Sequence, residues 1–463
     1  MTYDLVVIGG GPGGERAAIL ASRHGKRVAL VEEFSVVGGA RVNWGTIPSK
    51  TLRESALFVH GLTLRRLDAI RARLPGHITI PEFMHRERLV VRRELESSQK
   101  SLASHGVEVI RGRGRLAGPG RVAVSDRKGR VTRSLTAPVI IIAVGAVPSH
   151  PQGIPFDASR VFDSNTILRL KAMPRSMTVI GAGVIGVEYA SIFAAMGIKV
   201  ALLDTRDSFL PYLDREVAAI LLSELERMGI RFIPSARAED ISPFAKSVTC
   251  RLQDGRRISS DILLYCVGRD GNTADLGLET VGIRPTDRGL IKVDKDYRTT
   301  APGVYAVGDV IGYPALANTS MEQGRLAVRH AFGIPGPHAR TDQFPLALYA
   351  IPEVSTIGPT EEDLKREGTA FVVGRGLFGH NSRGRIMGAE GGLLKLLFDA
   401  KTLRLLGVHI VGPGASELIH IGQAFLASRT DAKAIAETIF NYPTLGDLYR
   451  HAALEALGSS GRA

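Results

Sequence analysis

Leu5 to Ile8 is an unbroken apolar run, followed by Gly9-Gly10-Gly11-Pro12-Gly13-Gly14 and then by an alanine-rich stretch from Glu15 to His24 with helical spacing. Arg27 to Val31 is apolar again. The pattern predicts a strand, a tight turn, a helix and a second strand parallel to the first, because a helical crossover separates the two. The order recurs further along: Met177 to Ile180, the turn Gly181-Ala182-Gly183-Val184-Ile185-Gly186, a helix from Val187 to Met196, and a strand from Lys199 to Leu203. The chain therefore carries two βαβ units of the dinucleotide-binding type.

Between them, Ile80 to His105 reads as one long charged amphipathic helix. Val107 to Leu135 reads as short strands broken by Gly112, Gly114, Gly118 and Gly120. Val139 to Ala143 is a fully apolar strand that ends at Gly145-Ala146-Val147-Pro148, a crossing into the second unit. Arg231 to Val267 alternates like strands and ends at Val267-Gly268-Arg269. Ile291 to Val307 carries further strand signals leading to Gly308-Asp309, and Ala317 to Val328 reads as a helix with Asn318, Thr319 or Ser320 available as caps. From about Phe344 onward, strands at Gly392 to Phe398 and Leu405 to Ile410 precede two helical stretches.

Each glycine turn follows an apolar strand, opens a helix and is trailed about 18 residues later by an acid, Glu32 in the first unit and Asp204 in the second. Glycine lets a pyrophosphate approach the backbone and rest on the helix N-terminus, where free N–H groups and the helix dipole favour an anion. The acid is placed for the ribose hydroxyls. Gly9, Gly11, Gly14 and Glu32, and again Gly181, Gly183, Gly186 and Asp204, are thus candidate cofactor-binding residues. Two dinucleotide sites in one chain point to hydride passing from one dinucleotide to the other.

These motifs, with Gly38-Gly39 leading to Ile47-Pro48-Ser49-Lys50, Glu188 after the second turn, Gly145, Gly268-Arg269, and Val304-Tyr305-Ala306-Val307-Gly308-Asp309, resemble the pyridine nucleotide-disulfide oxidoreductases over essentially the whole chain. The resemblance implies an α/β fold with two Rossmann-like domains, one for FAD and one for NAD(P), plus a C-terminal α+β dimerisation domain. It divides the chain into an FAD domain in two parts (1–150 and 271–340), an NAD(P) domain (151–270) and a dimerisation domain (341–463). It places Lys50 and Glu188 as an ion pair beside the flavin and Asp309 on the FAD ribityl chain, adds Gly145 and Gly268 to the cofactor-binding residues, and implies a homodimer.

The chain departs from that pattern at the redox centre. The two positions of the CxxxxC pair are Arg41 and Thr46, and the C-terminal His-Pro-Thr with its glutamate is replaced by Tyr442-Pro443-Thr444 and Asp447. Thiols and their imidazole base are lost together, as expected of a chain with a different electron acceptor. Asn43-Trp44-Gly45-Thr46-Ile47-Pro48-Ser49-Lys50, Gly308-Asp309-Val310-Ile311-Gly312-Tyr313-Pro314, His420-Ile421-Gly422-Gln423-Ala424 and Phe440-Asn441-Tyr442-Pro443-Thr444 are similar to the disulfide-free subgroup of Si-specific NAD(P) transhydrogenases. That resemblance implies hydride exchange between NADPH and NAD through FAD, with reduction of quinones as the alternative. By the same resemblance Val184 lies over the nicotinamide pocket and Tyr442 on the far side of the flavin. Asp204 favours NAD, while Arg206, two residues on, can reach a 2′-phosphate and admit NADP.

Composition narrows the remaining classes. Lys and Arg outnumber Asp and Glu by 59 to 46, a net charge of +13, but the densest patches, Arg65 to Arg73 and Arg86 to Arg93, are interleaved with other residues as on a solvated helix face, so no nucleic-acid partner is expected. No apolar stretch reaches the ~20 residues that cross a bilayer. The start Met1-Thr2-Tyr3-Asp4 runs straight into a strand, which predicts a cytoplasmic protein. Cys250 and Cys266 fall in separate strand-like segments and are expected to be buried, non-redox side chains; no metal site is expected.

Overall fold

The computed structural model describes residues 1–64, 78–336, 344–459 and 461. The basic patch Arg65 to Arg73 and the domain boundary at 340/341 lie outside the described residues. The chain forms two compact units, Met1–Thr51 with Met84–Pro151 and Val267–Thr341, and Leu52–Phe83 with Gln152–Cys266 and Asp342–Ala463.

The first unit is organised by a five-stranded parallel sheet in the order Val304–Ala306, Val139–Ile142, Leu5–Ile8, Val28–Glu32, Glu108–Arg111. Its central strands are buried on both faces, which is why they read as continuous apolar runs without alternation. One face carries the helix Pro12–Arg23; Ala17, Ala18 and Ala21 of its buried side share a core with Leu5, Val7 and Leu30. The helix Ala317–Phe332 packs against it so closely that Gly13 and Gly324 meet backbone to backbone. The other face is closed by a three-stranded antiparallel sheet, Arg113–Leu116, Arg121–Ser125 and Val131–Thr136.

The second unit repeats the scheme. Its parallel sheet has the order Ile230–Ile233, Lys199–Leu203, Ser176–Ile180, Ile262–Tyr265, Val161–Phe162, with the glycine turn again leaving the central strand. The helix behind that turn, Val184–Ala195, is buried on nearly every side, so it shows almost no amphipathic pattern in the sequence. A separate five-stranded antiparallel sheet follows, in the order Leu346–Leu348, Val354–Ile357, Leu405–Val411, Leu393–Asp399, Phe371–Leu377. Helices Ala415–Ala427 and Leu448–Ser459 cover it through Ile419, Leu448, Tyr449 and Ala452.

Four sequence expectations need correction. The stretch Ile80 to His105 is two helices, Ile80–Phe83 and His85–Ser104, because Met84 is buried at the junction and serves as N-cap of the second. Of Ile291 to Val307 only Val304–Ala306 joins a sheet; Arg298 and Tyr305 form a single bridge, so the apolar residues there are buried in turns. The helix Ala317–Phe332 has Leu316 as N-cap without a side-chain bond, and the Thr319 and Ser320 hydroxyls instead donate back to the Leu316 carbonyl. Cys250 is buried in a strand as expected, whereas Cys266 sits one residue beyond the strand Ile262–Tyr265 and is half-buried.

Candidate functional site

The two glycine turns are built alike. Gly9 and Gly181 have φ of 104° and 101°, a left-handed region that residues with a Cβ rarely enter. Gly14 and Gly186 lie in the first turn of their helices, where a Cβ would collide with the carbonyl oxygens of Gly9 and Gly181. Around Gly11 and Gly183 the space is open: an added Cβ would meet only Gly39 Cα at 3.8 Å in the first turn and nothing in the second. Both residues are helix N-caps that, being glycines, offer no side-chain bond to the N–H groups of the first turn. A pyrophosphate fits each turn: the cradle has room for it, and its charge satisfies donors that the chain leaves without a side-chain cap.

The acids end the adjoining strands. Glu32, buried, accepts the Gly10 N–H at 2.8 Å and the Phe34 N–H at 2.9 Å. Its pKa is raised, burial outweighing those two bonds and the nearby Arg111. Asp204 makes the matching bonds to the N–H groups of Ala182 at 2.7 Å and Arg206 at 2.9 Å. In addition the Arg206 guanidinium clasps it, Nε to Oδ1 at 2.9 Å and Nη2 to Oδ2 at 2.7 Å. Burial opposes ionisation of Asp204, but the Arg206 bonds outweigh it and its pKa is lowered.

Gly145 and Gly268 lie at the two chain crossings of the first unit. Ala146–Pro148 and Arg269–Gly271 pair as an antiparallel two-strand connector, with the Asn272 N–H on the Gly145 carbonyl and the Ser149 N–H on that of Gly268. Asp309 is in the one-turn 3₁₀ helix Gly308–Ile311 that follows the edge strand, and the Gly308 N–H before it donates to Gln323. The Asp309 pKa is raised by burial, against the pull of Arg269 and of its own backbone N–H. Asp309 is half-buried, and a carboxylate in that setting is suited to accept hydroxyl donors from a ligand.

Lys50 is the fifth residue of the helix Thr46–Leu64, its ammonium 3.4 Å from Ser49 Oγ. Glu188 is buried in the helix Val184–Ala195 and accepts the Tyr349 N–H at 2.9 Å. Val184 opens that helix. Tyr442 is exposed, its hydroxyl 2.6 Å from Ser382 Oγ.

Sequence reasoning treated Arg41 only as a lost cysteine. In the structure its guanidinium reaches Glu94 at 3.2 Å, Ser98 at 3.1 Å and Glu15 at 3.7 Å, and Ser98 in turn donates to Glu15. The signals were a glutamate directly behind the third glycine and Glu94 and Ser98 four apart on one helix face. Both cysteines are free, and both belong to the second unit, whereas positions 41 and 46 belong to the first. No group of three or more metal-ligating side chains occurs among the described residues. No described helix is long and apolar enough to cross a membrane.

Two parallel sheets with twin phosphate cradles and paired acids define a class, the α/β proteins that bind two dinucleotides. Residues 3–324 match the pyridine nucleotide-disulphide oxidoreductase family and residues 344–453 its dimerisation domain, and the chain belongs to that family. It is 42% identical over 455 residues to a soluble pyridine nucleotide transhydrogenase of Mycobacterium tuberculosis, covering 98% of this chain and 97% of that one. A soluble pyridine nucleotide transhydrogenase of Chromohalobacter salexigens is 38% identical over 458 residues, 98% of each chain. Among solved structures, the HOCl-induced flavoprotein disulfide reductase of Escherichia coli is similar with TM-score 0.87 and 28% identity, over 98% of this chain and 99% of that one. The family uses FAD and NAD(P), the groups that the twin cradles fit.

Proposed function

We propose that the protein transfers hydride between NADPH and NAD+ through FAD, without a redox disulfide. One observation carries this reading: the chain holds two equivalent dinucleotide cradles, while the two positions of the family's thiol pair are Arg41, tied into ion pairs, and Thr46. The names of the mycobacterial and Chromohalobacter relatives support it. FAD, held by Gly9, Gly11, Gly14, Glu32 and Asp309, supplies the hydride acceptor and donor.

The chain's own residues bind and orient. Gly181, Gly183 and Gly186 hold the nicotinamide nucleotide by its pyrophosphate, and Asp204 and Arg206 meet its adenosine ribose. Glu188, fixed by the Tyr349 N–H, sets the nicotinamide in place, and Lys50 offsets the charge that develops on the flavin; Gly145 and Gly268 let the backbone turn tightly beside the cofactors. The N- and C-terminal segments fall into an FAD domain (1–150 and 271–340), an NAD(P) domain (151–270) and a dimerisation domain (341–463) through which two copies associate in the cytoplasm.

The test is a comparison of acceptors with NADPH as donor: an NAD+ analogue whose reduction is visible, a benzoquinone, glutathione disulfide and lipoamide. The NAD+ analogue is expected to be reduced fastest and the two disulfides not at all. Reduction of the quinone alone would replace this reading with that of a quinone reductase.

A further inference from the structure

Glu32 and Asp204 occupy equivalent places and receive equivalent backbone bonds, yet their outward faces differ. Glu32 presents its carboxylate with two backbone donors and, among the described residues, no cation bonded to it. Asp204 carries the same two backbone donors and two more from Arg206, which covers both of its oxygens. Arg206 Nη2 also reaches the Ala182 carbonyl at 3.3 Å, so the guanidinium spans the turn from the second strand to the glycine loop. The carboxylate is almost wholly buried, whereas the arginine side chain is 42% exposed. The buried partner is held in place by the fold; the exposed one has freedom to leave.

We infer that Arg206 is a gate over Asp204 that separates the two nicotinamide nucleotides by what each must displace. The inference rests on the assignment of the second cradle to a nicotinamide nucleotide. A ribose diol donates hydrogen bonds, and the Asp204 oxygens that would accept them are already engaged by the guanidinium. An NAD(H) ribose therefore competes with Arg206 and must expel it toward solvent. A 2′-phosphate accepts hydrogen bonds and repels a bare carboxylate; it draws the same guanidinium onto itself while Arg206 continues to screen Asp204. A single residue thereby opposes one nucleotide and recruits the other, and the exchange between them requires only the swing of an exposed side chain.

This differs from a phosphate-binding arginine alone, which would leave NAD(H) untouched. Removing the gate should strengthen NAD(H) binding because Asp204 becomes available. The experiment uses the FAD-loaded enzyme and measures by calorimetry the binding of adenosine 5′-monophosphate and adenosine 2′,5′-bisphosphate, alongside KM for NADH and NADPH. In Arg206→Ala, affinity for the monophosphate is expected to rise several-fold and that for the bisphosphate to fall by roughly tenfold or more, with the two KM values moving in the same senses. Arg206→Gln, which keeps a donor without the charge, should lie between. Unchanged monophosphate affinity with weakened bisphosphate would overturn the gate and leave a phosphate ligand. Weakening of both, or of neither, would overturn it as well. The binding arms are independent of which acceptor the enzyme uses, so failure of transhydrogenation does not decide them; if neither adenosine probe binds the wild type, the assignment of the cradle itself fails.

Discussion

Gly186→Val is expected to give a protein that keeps its FAD and loses nearly all reduction of that FAD by either nicotinamide nucleotide. A Cβ at residue 186 would collide with the Gly181 carbonyl oxygen, and further atoms would press on Val179 Cγ1, already 3.3 Å from that Cβ. The turn can relieve this only by opening, which moves the N–H groups at Gly183 away from the pyrophosphate. Overpacking of this kind costs ~1–3 kcal/mol or more, and the misplaced cradle adds to it, so kcat/KM for NADH and NADPH should each fall by about 100-fold or more. Gly14→Val makes the same collision with the Gly9 carbonyl, and there the flavin itself should be lost. Flavin content per chain together with nucleotide-dependent bleaching separates the two variants. Equal loss of flavin in both would show that the cradles are not independent sites.

Lys395→Met should be the most destabilising single substitution in the second unit. Lys395 lies mid-strand in Leu393–Asp399, only 1% exposed, with its ammonium 2.9 Å from Asp214, 2.9 Å from Glu216 and 2.5 Å from Glu361. Across the sheet it faces Arg375 on one side and His409 on the other, so a polar row crosses an otherwise apolar layer. Asp214 is itself fully buried and caps the helix Arg215–Arg227 through the Glu216 N–H. Removing the lysine strands that carboxylate, at a cost of about 3–5 kcal/mol in unfolding free energy. Asp214→Asn keeps the cap and removes the stranded charge, so the double variant should lose less than the sum of the singles.

The same cluster sets the pH range of the effect. Burial disfavours ionisation of Asp214, Glu216 and Glu361, but the bonds from Lys395, with Arg375 on Glu216, outweigh it and hold all three below their ordinary values of 3.8 and 4.5. Carboxylates depressed in the folded state contribute stability that is complete above those ordinary values and is lost as pH falls through the folded ones. The gap between wild type and Lys395→Met in denaturant unfolding should be widest near neutrality and close in acid. A gap that widens in acid would contradict the assignment.

What the sequence made legible follows from locality. The glycine turns and their acids were readable because strand, turn, helix and acid succeed one another within one βαβ unit, each step constrained by backbone sterics and helix geometry. Lys395 was not readable: its partners come from a helix more than a hundred positions earlier and from the short helix Glu361–Arg366 between two strands of the sheet, and nothing local distinguishes it from a surface lysine. Arg206 was readable as a phosphate ligand but not as a clasp on Asp204, because both roles use the same two residues and only the distances tell them apart. Ile80 to His105 was read as one helix because charge and amphipathic spacing continue through Met84, while the break depends on where that side chain is buried.

The central claim, that one chain passes hydride from NADPH to NAD+ with no thiol between, is tested most directly by two successive half-reactions on the purified holoenzyme without oxygen. One equivalent of NADPH per flavin is added first, the NADP+ formed is removed, and NAD+ is then supplied alone. The flavin absorbance is expected to be bleached in the first step and restored in the second, with a stoichiometric yield of NADH, and prior alkylation of Cys250 and Cys266 is expected to change neither step. Bleaching that NAD+ does not reverse but a quinone does would contradict the claim.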